Sequence, residues 1–329
     1  MIEYQFPKPI LITGGAGFIG SHLIDRLLQI GNSVISLDNL NDFYDPRIKQ
    51  LNNLHHADNP DFKFIKADVR DDVALNKVFQ ESEIGTVIHL AAMAGVRPSI
   101  INPQIYLDVN INGTYSLLSA IAKYKVERFI FASSSSVYGN NSKIPFSEDD
   151  KVDNQISPYG ATKKMGEILC NTYYYLNKIP TTCLRFFTVY GPRQRPEMAI
   201  HTFVKKIMKS ETIPFFGDGH SARDYTFIED IIDGILKALV KVEGFSIYNL
   251  GNSEPIKLKD LVDIISEVTG KPADIDRKEL PRGDVLQTYA DISRAKQHLD
   301  YQPQIRIVDG INQFVTWYNE SKTREPGLF

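Results

Sequence analysis

The stretch Ile10-Leu11-Ile12-Thr13-Gly14-Gly15-Ala16-Gly17-Phe18-Ile19-Gly20 joins a short apolar, β-branched run to a glycine-rich turn. The residues that follow, 22–28, have the apolar spacing of a helix. A strand, a glycine turn and a helix in this order are the context that a dinucleotide-binding site requires. We expect Gly14 to form the tight turn, Gly17 to let the backbone approach a pyrophosphate, and Gly20 to allow close packing of helix on sheet. The helix N-terminus, whose free N–H groups favour negative charge, would then hold the phosphates.

The second predicted strand, Ser33 to Leu37, runs directly into Asp38. An acid at this position accepts hydrogen bonds from the adenosine ribose hydroxyls and repels the 2′-phosphate of NADP. Asn39 and Leu40 follow it and supply no arginine that would bind such a phosphate. We therefore predict NAD rather than NADP as the cofactor. Taken alone, the glycine spacing G-x-x-G-x-x-G is also compatible with an ordinary turn between a strand and a helix.

A tyrosine and a lysine stand four residues apart in Tyr159-Gly160-Ala161-Thr162-Lys163. On a helix these two side chains share one face, so we expect the ammonium group of Lys163 to lower the pKa of the Tyr159 phenol. A phenolate of this kind can take a proton from a substrate hydroxyl. The pair alone is also compatible with an exposed i,i+4 contact, but its combination with the glycine turn favours catalysis.

Strand patterns alternate with helical patterns up to residue 190, which is typical of an α/β fold with a Rossmann-type, doubly wound parallel sheet. The predicted strands are 9–13, 33–37, 62–66, 86–90, 128–132 and 181–187. Prolines and glycines break up the pattern after Thr188. We predict two domains. Residues 1–190 and 225–251 bind NAD, and residues 191–224 and 252–329 form a smaller, discontinuous α/β substrate domain.

The composition is that of an ordinary globular protein, with 329 residues, 43% apolar content, 23% charged content and a net charge of −3. It gives no electrostatic reason to expect binding to nucleic acid or to an anionic membrane surface. The two cysteines, Cys170 and Cys183, have neither the number nor the spacing of a disulfide framework or a metal site, so no metal is expected. No apolar run reaches the roughly 18 residues of a membrane helix. The N-terminal residues lack the pattern of a signal peptide, and we expect a cytoplasmic protein.

These motifs together resemble those of the extended short-chain dehydrogenase/reductase superfamily, and more narrowly its nucleotide-sugar epimerases, dehydratases and decarboxylases. The resemblance covers essentially the whole chain. It implies that Asp68-Val69 contacts adenine, that Leu90-Ala91-Ala92 lines the cofactor, and that Asn110 has a structural role close to the cofactor. The spacing alone also lets Asp68 cap a helix that begins near Asp71. The residues expected to bind NAD are Gly14, Gly17, Phe18, Ile19, Gly20, Asp38, Asn39, Asp68, Val69, Leu90, Ala91, Ala92, Asn110, Ser133, Tyr159 and Lys163.

Four serines, Ser133 to Ser136, directly precede Val137-Tyr138-Gly139. The related dehydratases carry an Asp-Glu pair before their Val-Tyr-Gly, and the decarboxylases carry a glutamate in the last position of that pair. Ser135 and Ser136 stand there in this chain, and a hydroxyl serves neither as the acid nor as the base at neutral pH. The chain is thus most similar to the epimerases, in which Ser134 matches a hydroxyl that hydrogen-bonds the sugar O4, and Ser135 and Ser136 are assigned to the substrate site. A purely structural role at the end of a strand is the alternative, mainly for Ser133.

The resemblance implies a redox-neutral mechanism. Tyr159, as a phenolate, takes the proton of the sugar 4-hydroxyl while hydride leaves C4 for NAD. The 4-keto sugar then turns its other face to the cofactor, and the return of hydride and proton inverts C4. Lys163 also hydrogen-bonds the nicotinamide ribose, while the protein as a whole supplies orientation and electrostatics.

Residues 185–198, RFFTVYGPRQRPEM, resemble a motif of UDP-glucuronate 4-epimerases in which a threonine and an arginine serve the sugar carboxylate. Thr188 and Arg195 hold these positions here, and the planar fork of an arginine binds both oxygens of a carboxylate. Residues 39–46 and 91–99 look like the same subfamily. Arg195 has two other interpretations: an ion pair with Glu197, or a contact with the diphosphate in a generic epimerase.

The nucleotide end of the substrate site departs from this subfamily. Residues 213–225 look more like the nucleotide clamp of broad UDP-hexose enzymes, with Phe216 behind the uracil and Arg223 on the diphosphate. Arg282 and Asp284 are expected to supply a second cation and a ribose-binding acid. His89 and Trp317 are interpreted as packing residues.

The sequence therefore predicts an NAD-dependent enzyme that epimerises C4 of a UDP-sugar, with Tyr159, Lys163 and Ser134 as its catalytic residues. Conversion of UDP-glucuronate to UDP-galacturonate is favoured, and epimerisation of UDP-glucose or UDP-N-acetylglucosamine is the first alternative. An NAD-dependent nucleotide-sugar dehydrogenase or reductase is the second, and a catalytically silent binding protein is the third. The family resemblance also implies a homodimer formed through helices within 103–124 and 158–177.

Overall fold

A parallel β-sheet runs through the centre of the protein, whose computed structural model describes residues 4–6, 8–279 and 285–329. The strands in chain order are β1 (Ile10–Thr13), β2 (Val34–Asp38), β3 (Phe62–Lys66), β4 (Thr86–His89), β5 (Arg128–Ser134), β6 (Thr181–Phe186), β7 (Thr188–Tyr190), β8 (Ile213–Phe216), β9 (Ala222–Phe227), β10 (Phe245–Leu250), β11 (Pro255–Lys257), β12 (Ile275–Lys278) and β13 (Gln287–Thr288).

Helices cover this sheet and build the remainder of the fold. They are α1 (Phe18–Gln29), α2 (Pro46–Leu54), α3 (Asp72–Glu81), α4 (Val96–Ile101), α5 (Pro103–Leu107), α6 (Thr114–Tyr124), α7 (Pro158–Asn177), α8 (Ala199–Met208), α9 (Ile228–Val240), α10 (Leu258–Thr269), α11 (Ser293–Leu299) and α12 (Ile307–Arg324). A π-helical turn, Asp108–Gly113, precedes α6, and a 3₁₀ turn, Ser135–Tyr138, follows β5.

The central sheet consists of seven of the described strands in the order β3-β2-β1-β4-β5-β6-β10, and every neighbouring pair is parallel. All residues of β1, β2, β4 and β6 are buried, as expected of parallel strands that helices cover on both faces. The prediction of an α/β fold with a Rossmann-type parallel sheet is confirmed.

The largest difference from the predicted strand ends is at β5, which was expected to stop at residue 132. It continues because Ser133 and Ser134 still pair with Arg185 and Phe186 of β6. The serine cluster is therefore divided between two elements: two serines end the strand, and Ser135 and Ser136 begin the 3₁₀ turn.

The loops that leave the carboxyl ends of the central strands meet at one edge of the sheet, because all of these strands point the same way. The glycine turn follows β1, the 90–95 segment follows β4, and the serine turn follows β5. Ligands of open parallel sheets bind in the crevice outside this edge. The topology therefore collects segments that are far apart in sequence around one crevice.

Smaller strand pairings build the rest of the protein. Strand β9 pairs with β7, β11 and β13, and β8 pairs with β12. Strand β10 extends the central sheet beside β6, although 58 residues separate the end of β6 from the start of β10. Strand β9 lies across the expected boundary at residues 224 and 225. The division into two domains and its boundaries stay a prediction.

A histidine is buried in the contact between α8 and α12. The ring of His201 is 1% exposed and packs edge-on against Phe314, Trp317 and Tyr318. Its Nδ1 donates to the carbonyl of Gln194 at 2.7 Å, which requires a proton on that nitrogen. Burial lowers the pKa of His201 from 6.5 to about 4, so the ring is neutral at pH 7.

Among the described helices, none combines the length with the apolar character that crossing a bilayer requires.

The neutral His201 makes stability depend on pH. In the unfolded chain the ring takes up a proton below about pH 6.5, whereas the folded protein resists protonation down to about pH 4. The free energy of unfolding should therefore fall as the pH decreases through this window. His201→Asn keeps a donor for Gln194 but removes the titration, so its unfolding free energy should have a slope smaller by up to about 1.4 kcal/mol per pH unit. Urea unfolding at several pH values between 6.5 and 4 measures both slopes. Parallel curves would contradict a neutral, buried His201.

Candidate active site

A cavity of about 250 Å³ lies at the carboxyl edge of the central sheet. Its wall is formed by the glycine turn, the ends of β2, β4 and β5, one side of α7 and the loop after β7. The structure brings together there most of the predicted site residues, namely Gly14, Gly17, Phe18, Ile19, Gly20, Asp38, Asn39, Val69, Leu90, Ala91, Ala92, Ser133, Ser134, Tyr159, Lys163 and Arg195.

The glycine turn is tight enough to exclude side chains. Gly14 has a φ of +72°, and a Cβ built on it would lie 2.7 Å from the backbone nitrogen of Ala91. A Cβ on Gly20 would overlap the carbonyl oxygen of Gly14. Helix α1 starts after Gly17, and no side chain among the described residues caps its first N–H groups. The first N–H groups of α1 thus have no side-chain acceptor in the described part of the chain and can donate hydrogen bonds to a diphosphate in the cavity.

Asp38 stands at the end of β2, where its carboxylate is largely buried. Its Oδ1 accepts from the backbone N–H of Leu40 at 2.9 Å, and its Oδ2 accepts from that of Ala16 at 3.2 Å. Burial raises the pKa of Asp38, and the N–H of Leu40 and the charge of Lys49 oppose this. The acid is therefore tied to the glycine turn and stays at the cavity wall.

Lys49 of α2 also lines the cavity, and sequence reasoning missed it. Its ammonium is buried and donates to the backbone and side-chain oxygens of Asn41, at 2.9 and 2.8 Å. It also lies 4.8 Å from the centre of the Tyr44 ring. In the sequence this lysine is an ordinary polar position of a helix, and only the packing of α2 against the end of β2 brings it to Asp38.

Asp68 lies near the cavity but is not among the residues that line it. Arg70 binds its two oxygens at 2.9 Å each, and the amide of Asn39 donates to it at 2.8 Å. The Arg70 guanidinium is the main reason that the pKa of Asp68 is lowered to about 2. Helix α3 is capped by Asp71, whose carboxylate accepts from Val73 and Ala74. The alternative in which Asp68 caps this helix is therefore wrong, and its contact with adenine stays a prediction.

Asn110 connects the cofactor side of the cavity to the helix that carries Tyr159. Its Oδ1 accepts from the N–H of Met93 at 2.8 Å. Its Nδ2 donates to the Met93 carbonyl and to Thr162 Oγ1, both at 3.0 Å. The π-helical turn places this side chain between β4 and α7. A direct contact of Asn110 with the cofactor stays a prediction.

A buried histidine at the end of β4 continues this network. His89 Nδ1 lies 2.6 Å from Thr13 Oγ1, and His89 Nε2 lies 3.0 Å from Thr114 Oγ1. Thr114 gives its own proton to the carbonyl of Asn110, so Nε2–H is the donor and Nδ1 the acceptor. Burial, with the charge of Lys163 second, lowers the pKa of His89 to about 3. The ring is thus neutral at pH 7 and serves as a packed hydrogen-bonding link.

Tyr159 and Ser134 meet at the inner end of the cavity. Helix α7 begins there because Ser157 caps it through the N–H of Gly160, at 3.1 Å, and Pro158 occupies its first turn. Ser134 accepts the N–H of Ser136 at 3.1 Å, which leaves its hydroxyl proton free to donate to the Tyr159 phenol. This bond stabilises the charged form of the tyrosine.

The charge environment of Tyr159 differs from the expected one. Burial raises the pKa of Tyr159, while the Ser134 hydrogen bond and the charge of Arg195 lower it. Lys163 instead donates to the carbonyl of Ala132 at 2.7 Å and lies 5.2 Å from the centre of the Phe131 ring. Lys163 is not among the causes of the shift at Tyr159, and its lowering of the pKa of the phenol stays a prediction. Burial lowers the pKa of Lys163 itself to about 8.

Ser133 faces a buried ion pair behind the cavity wall. Its hydroxyl donates to Glu167 Oε1 at 2.7 Å. Arg185 binds the same carboxylate through Nε at 2.8 Å and Nη2 at 2.9 Å, and both charged side chains are 1% exposed. The hydroxyl of Ser133 is thus committed to Glu167. Ser135 and Ser136 are half-buried in the 3₁₀ turn and are not among the lining residues.

Arg195 reaches the cavity from the loop after β7. Its Nε lies 3.0 Å from Glu197 Oε1, so the ion pair that the sequence left open is present. The guanidinium also lies 5.7 Å from the centre of the Phe43 ring and lowers the pKa of Tyr159. The charge of Arg195 therefore favours the ionised form of Tyr159, the predicted proton-transfer group.

The other predicted substrate residues that the structure describes do not line the cavity. Thr188 is half-buried on β7. The ring of Phe216 is covered by Arg97, whose guanidinium lies 4.4 Å from the ring centre. Arg223 donates to the carbonyl of Ala222 at 2.9 Å. Arg282 and Asp284 lie outside the described residues.

Several apolar and aromatic residues of the cavity wall had no predicted role. They are Phe43, Tyr44, Met93, Ala94, Phe186, Phe187, Val189 and Met198. Phe43 and Tyr44 belong to the 39–46 motif, and Phe186 and Phe187 belong to the 185–198 motif. The sequence identified these motifs but did not show which of their side chains face the crevice.

Within the described part of the chain, one group of side chains has a geometry that could hold a metal ion: Asp25, His55 and His56. Asp25 already pairs with Arg193. The absence of a metal stays a prediction.

Comparisons with known proteins identify the family of this chain. A family profile described as "GDP-mannose 4,6 dehydratase" matches residues 11–314. A UDP-glucuronate 4-epimerase of Thermodesulfobacterium geofontis is 43% identical over 314 residues, which is 94% of this chain and 96% of that protein. The crystal structure of UDP-glucuronic acid 4-epimerase from Bacillus cereus, in complex with UDP-glucuronic acid and NAD, has a TM-score of 0.89 at 37% identity and covers 95% of this chain and 99% of its own.

A second solved structure is similar to the same extent. UDP-glucose 4-epimerase of Thermotoga maritima, crystallised with UDP-glucose, has a TM-score of 0.88 at 31% identity, and the match covers 96% of this chain and 100% of that one. These matches extend over nearly the whole chain. The protein therefore belongs to the GDP-mannose 4,6-dehydratase family of the extended short-chain dehydrogenases/reductases.

Proposed function

We propose that this protein catalyses the NAD-dependent C4 epimerisation of a UDP-sugar, and that the sugar is glucuronate, which is converted to galacturonate. One observation carries the choice of substrate: the Arg195 guanidinium enters the cavity close enough to Tyr159 for its charge to lower the pKa of the phenol. In a hexuronate the C6 carboxylate is separated from C4 only by C5. A cation beside the group that takes the C4 proton is thus well placed for that carboxylate.

The cavity fits NAD at the end where the glycine turn lies. A Cβ at Gly14 or Gly20 would fill the space beside the turn, and α1 offers uncapped N–H groups to the diphosphate. Asp38 at the end of β2 would hold the adenosine ribose, and Lys163 the nicotinamide ribose. When bound, NAD accepts hydrogen from the sugar C4 and later returns it to the opposite face.

Tyr159 takes and returns the proton of the C4 hydroxyl in this proposal. Ser134 donates to the phenol oxygen and so favours the charged tyrosine over the neutral one. This hydroxyl has one proton, so with the sugar bound it can donate to the sugar O4 instead of the phenol. Lys163 holds the end of β5 through the Ala132 carbonyl, and β5 carries Ser134.

The side chains at positions 135 and 136 support epimerisation over the other reactions of the family. Elimination of water from C5 and C6 needs an acid and a base, and both positions are serines on a 3₁₀ turn. The contact of Arg195 with the carboxylate would also protect the intermediate from decarboxylation. Oxidation at C4 produces a β-keto acid, which loses carbon dioxide when its C5–C6 bond aligns with the ketone π-system. By fixing the carboxylate, Arg195 resists this alignment.

A neutral hexose is the second candidate substrate. The similarity to the Thermotoga maritima enzyme, crystallised with UDP-glucose, favours it, as does the ion pair of Arg195 with Glu197. A dehydrogenase or reductase is distinguished by stoichiometry, since a dehydrogenase produces NADH and a reductase consumes it in each turnover, whereas an epimerase causes no net change.

We also propose that the protein is a homodimer in the cytoplasm. Apolar side chains are exposed along α4 and α7: Ile101 is 84% exposed, Ile168 54% and Leu176 68%. Tyr115 of α6 is exposed beside them and packs edge-on against Tyr173 of α7. A second copy that packs α6 and α7 against the same helices would bury this surface. The free thiols of Cys170 and Cys183 are consistent with a reducing compartment.

The proton-transfer role is tested by the pH dependence of turnover. Ser134→Ala removes the donor that stabilises the Tyr159 phenolate, so the pKa of Tyr159 should rise and the acidic limb of the kcat profile should move to higher pH. Tyr159→Phe is the matched control, since it keeps the ring and should lower turnover by roughly 10² to 10⁴ at every pH. Calorimetric titration with NAD verifies that both variants still bind the cofactor. An unmoved acidic limb in Ser134→Ala would remove this hydrogen bond from the mechanism.

The choice of substrate is tested with Arg195→Met, assayed on UDP-glucuronate and UDP-glucose by NMR of the C4 epimers. Loss of the guanidinium leaves the carboxylate poorly compensated in the pocket, and kcat/KM for UDP-glucuronate should fall by the equivalent of about 2 to 5 kcal/mol. The activity on UDP-glucose should change much less. The variant should also release UDP-4-keto-pentose and carbon dioxide and leave NADH behind, because the oxidised sugar is now free to decarboxylate. Equal losses on both sugars would place Arg195 on the diphosphate instead and favour the neutral hexose.

The dimer is tested by Ile168→Glu, which places a charge in the apolar surface of α7. Sedimentation equilibrium should give the mass of a dimer for the wild-type protein and that of a monomer for this variant. Val73→Glu is the control, since Val73 is 80% exposed on α3, outside that surface, and should leave the mass unchanged. A monomeric wild-type protein would exclude the proposal.

A further inference from the structure

Helix α1 makes a second contact with the site, remote from its N-terminus. His22 and Asp25 lie three residues apart and so share one face of this helix. Both bind the short segment Pro192-Arg193, which directly precedes Gln194 and Arg195. The helix whose beginning receives the cofactor diphosphate therefore also holds the loop that carries Arg195.

The contact of His22 is a defined hydrogen bond. Its Nε2 lies 2.8 Å from the carbonyl oxygen of Pro192. Burial, with the charge of Arg193 second, lowers the pKa of His22 to about 4, so the ring is neutral at pH 7. A carbonyl only accepts, and Nε2 must therefore carry the single proton of the ring.

Asp25 uses one carboxylate oxygen in an ion pair with Arg193 and the other in hydrogen bonds with two histidines. Oδ2 binds Nη2 of Arg193, while Oδ1 accepts from His55 at 2.9 Å and from His56 at 2.7 Å. Asp25 thus joins α1, the residues just after α2 and the Arg193 segment. Residues 43 and 44, which precede α2, line the cavity, and the ring of Phe43 contacts Arg195.

The segment is held in an unfavourable conformation. Arg193 has a φ of +63°, which costs energy for a residue with a side chain. Its Nη1 is buried and finds no hydrogen-bond partner among the described residues. Gly191 before it has a φ of +143°, and a Cβ there would lie 3.1 Å from Cβ of Ile228. Backbone strain persists where the surrounding contacts impose it. On the side of the segment that faces α1, these contacts are those of His22 and Asp25.

The opposite side of the loop is fixed independently. Gln194 is 2% exposed, donates through Nε2 to the Val189 carbonyl at 3.0 Å, and accepts from the N–H of His201 at 3.2 Å. The backbone on both sides of Gln194 is therefore immobilised, from α1 on one side and from α8 on the other. Arg195 is the first residue beyond this clamp whose side chain reaches the cavity.

We propose that His22 and Asp25 are positioning residues, which clamp Pro192-Arg193 to the cofactor helix so that Arg195 points at the carboxylate of the sugar. The inference rests on the proposed function of Arg195. It means that selectivity for a uronate depends on a face of α1 that touches neither cofactor nor substrate. It also gives the cofactor-binding motif a direct mechanical connection to the sugar site.

The test compares Asp25→Asn and Arg193→Met with Arg195→Met, each assayed on UDP-glucuronate and UDP-glucose. Misplacement of Arg195 should lower kcat/KM for UDP-glucuronate on the order of ten- to a hundredfold, with a much smaller change for UDP-glucose. The decarboxylated product should appear in both clamp variants. Neither clamp substitution should cause a further loss of selectivity when combined with Arg195→Met, because it acts through that residue. Arg193→Lys keeps the cation and should restore part of the selectivity.

Asp149→Asn is the control for loss of an ion pair as such. It breaks an exposed pair with Arg294, at 2.5 Å, and should leave the ratio of the two activities unchanged. Thermal unfolding and calorimetric titration with NAD, measured on every variant, identify any that fails to fold, and Arg193→Met decides the matter if Asp25→Asn is one of these. The clamp would be overturned, and the proposed function would remain, if Arg195→Met lost activity mainly on UDP-glucuronate while the clamp variants lost it equally on both sugars. Equal losses on both sugars in Arg195→Met would overturn the proposed choice of substrate itself.

Discussion

The buried ion pair between Glu167 and Arg185 holds together the elements that carry the site. Glu167 lies one helical turn after Lys163 on α7, and Arg185 lies on β6. The carboxylate also accepts from Ser133 at the end of β5, and Arg185 donates to Tyr138, which in turn donates to Asn249 of β10. Removal of one partner from such a pair typically costs about 3 to 5 kcal/mol, because the other charge is left buried and unpaired. The spacing of Tyr159 from Ser134 depends on this pair, since it sets the distance between α7 and the end of β5.

A second network fixes the cofactor side, and it is uncharged. Thr13, His89 and Thr114 form a chain from the end of β1 to the π-helical turn, where Asn110 continues it to Met93 and to Thr162 of α7. Because burial keeps His89 neutral, every proton in the chain has a defined position. The glycine turn and helix α7 are thereby joined through the interior. The two networks approach α7 from opposite sides, so the orientation of this helix is determined twice.

The positions of six of the seven strands in the central sheet were predictable to within two residues, because buried parallel strands are continuous apolar runs between turn signals. The cofactor wall was predictable for a similar reason, since a glycine turn and a strand-terminal acid act through local backbone geometry. Lys49, His22 and Asp25 were not predictable. Each occupies an ordinary position of an amphipathic helix, and its partner is either contributed by another segment of the chain or lies in a loop whose path the sequence does not specify. The surroundings of Tyr159 were only partly predictable for the same reason: the i,i+4 rule places two side chains on one face but does not show that the ammonium of Lys163 binds the carbonyl of Ala132.

The sequence by itself determined the fold class and the cofactor and predicted which groups move protons and bind charge, because these depend on residue type and on spacing within single elements. Tertiary structure decided which of those groups act on one another. The parallel sheet brings Tyr159, Ser134 and Arg195 to one edge from three separate segments. It also commits Ser133 to Glu167 and Lys163 to a backbone carbonyl. The physical reason is that burial and Coulomb interactions depend on distances through space, and those distances exist only once the strands have paired and the helices have packed.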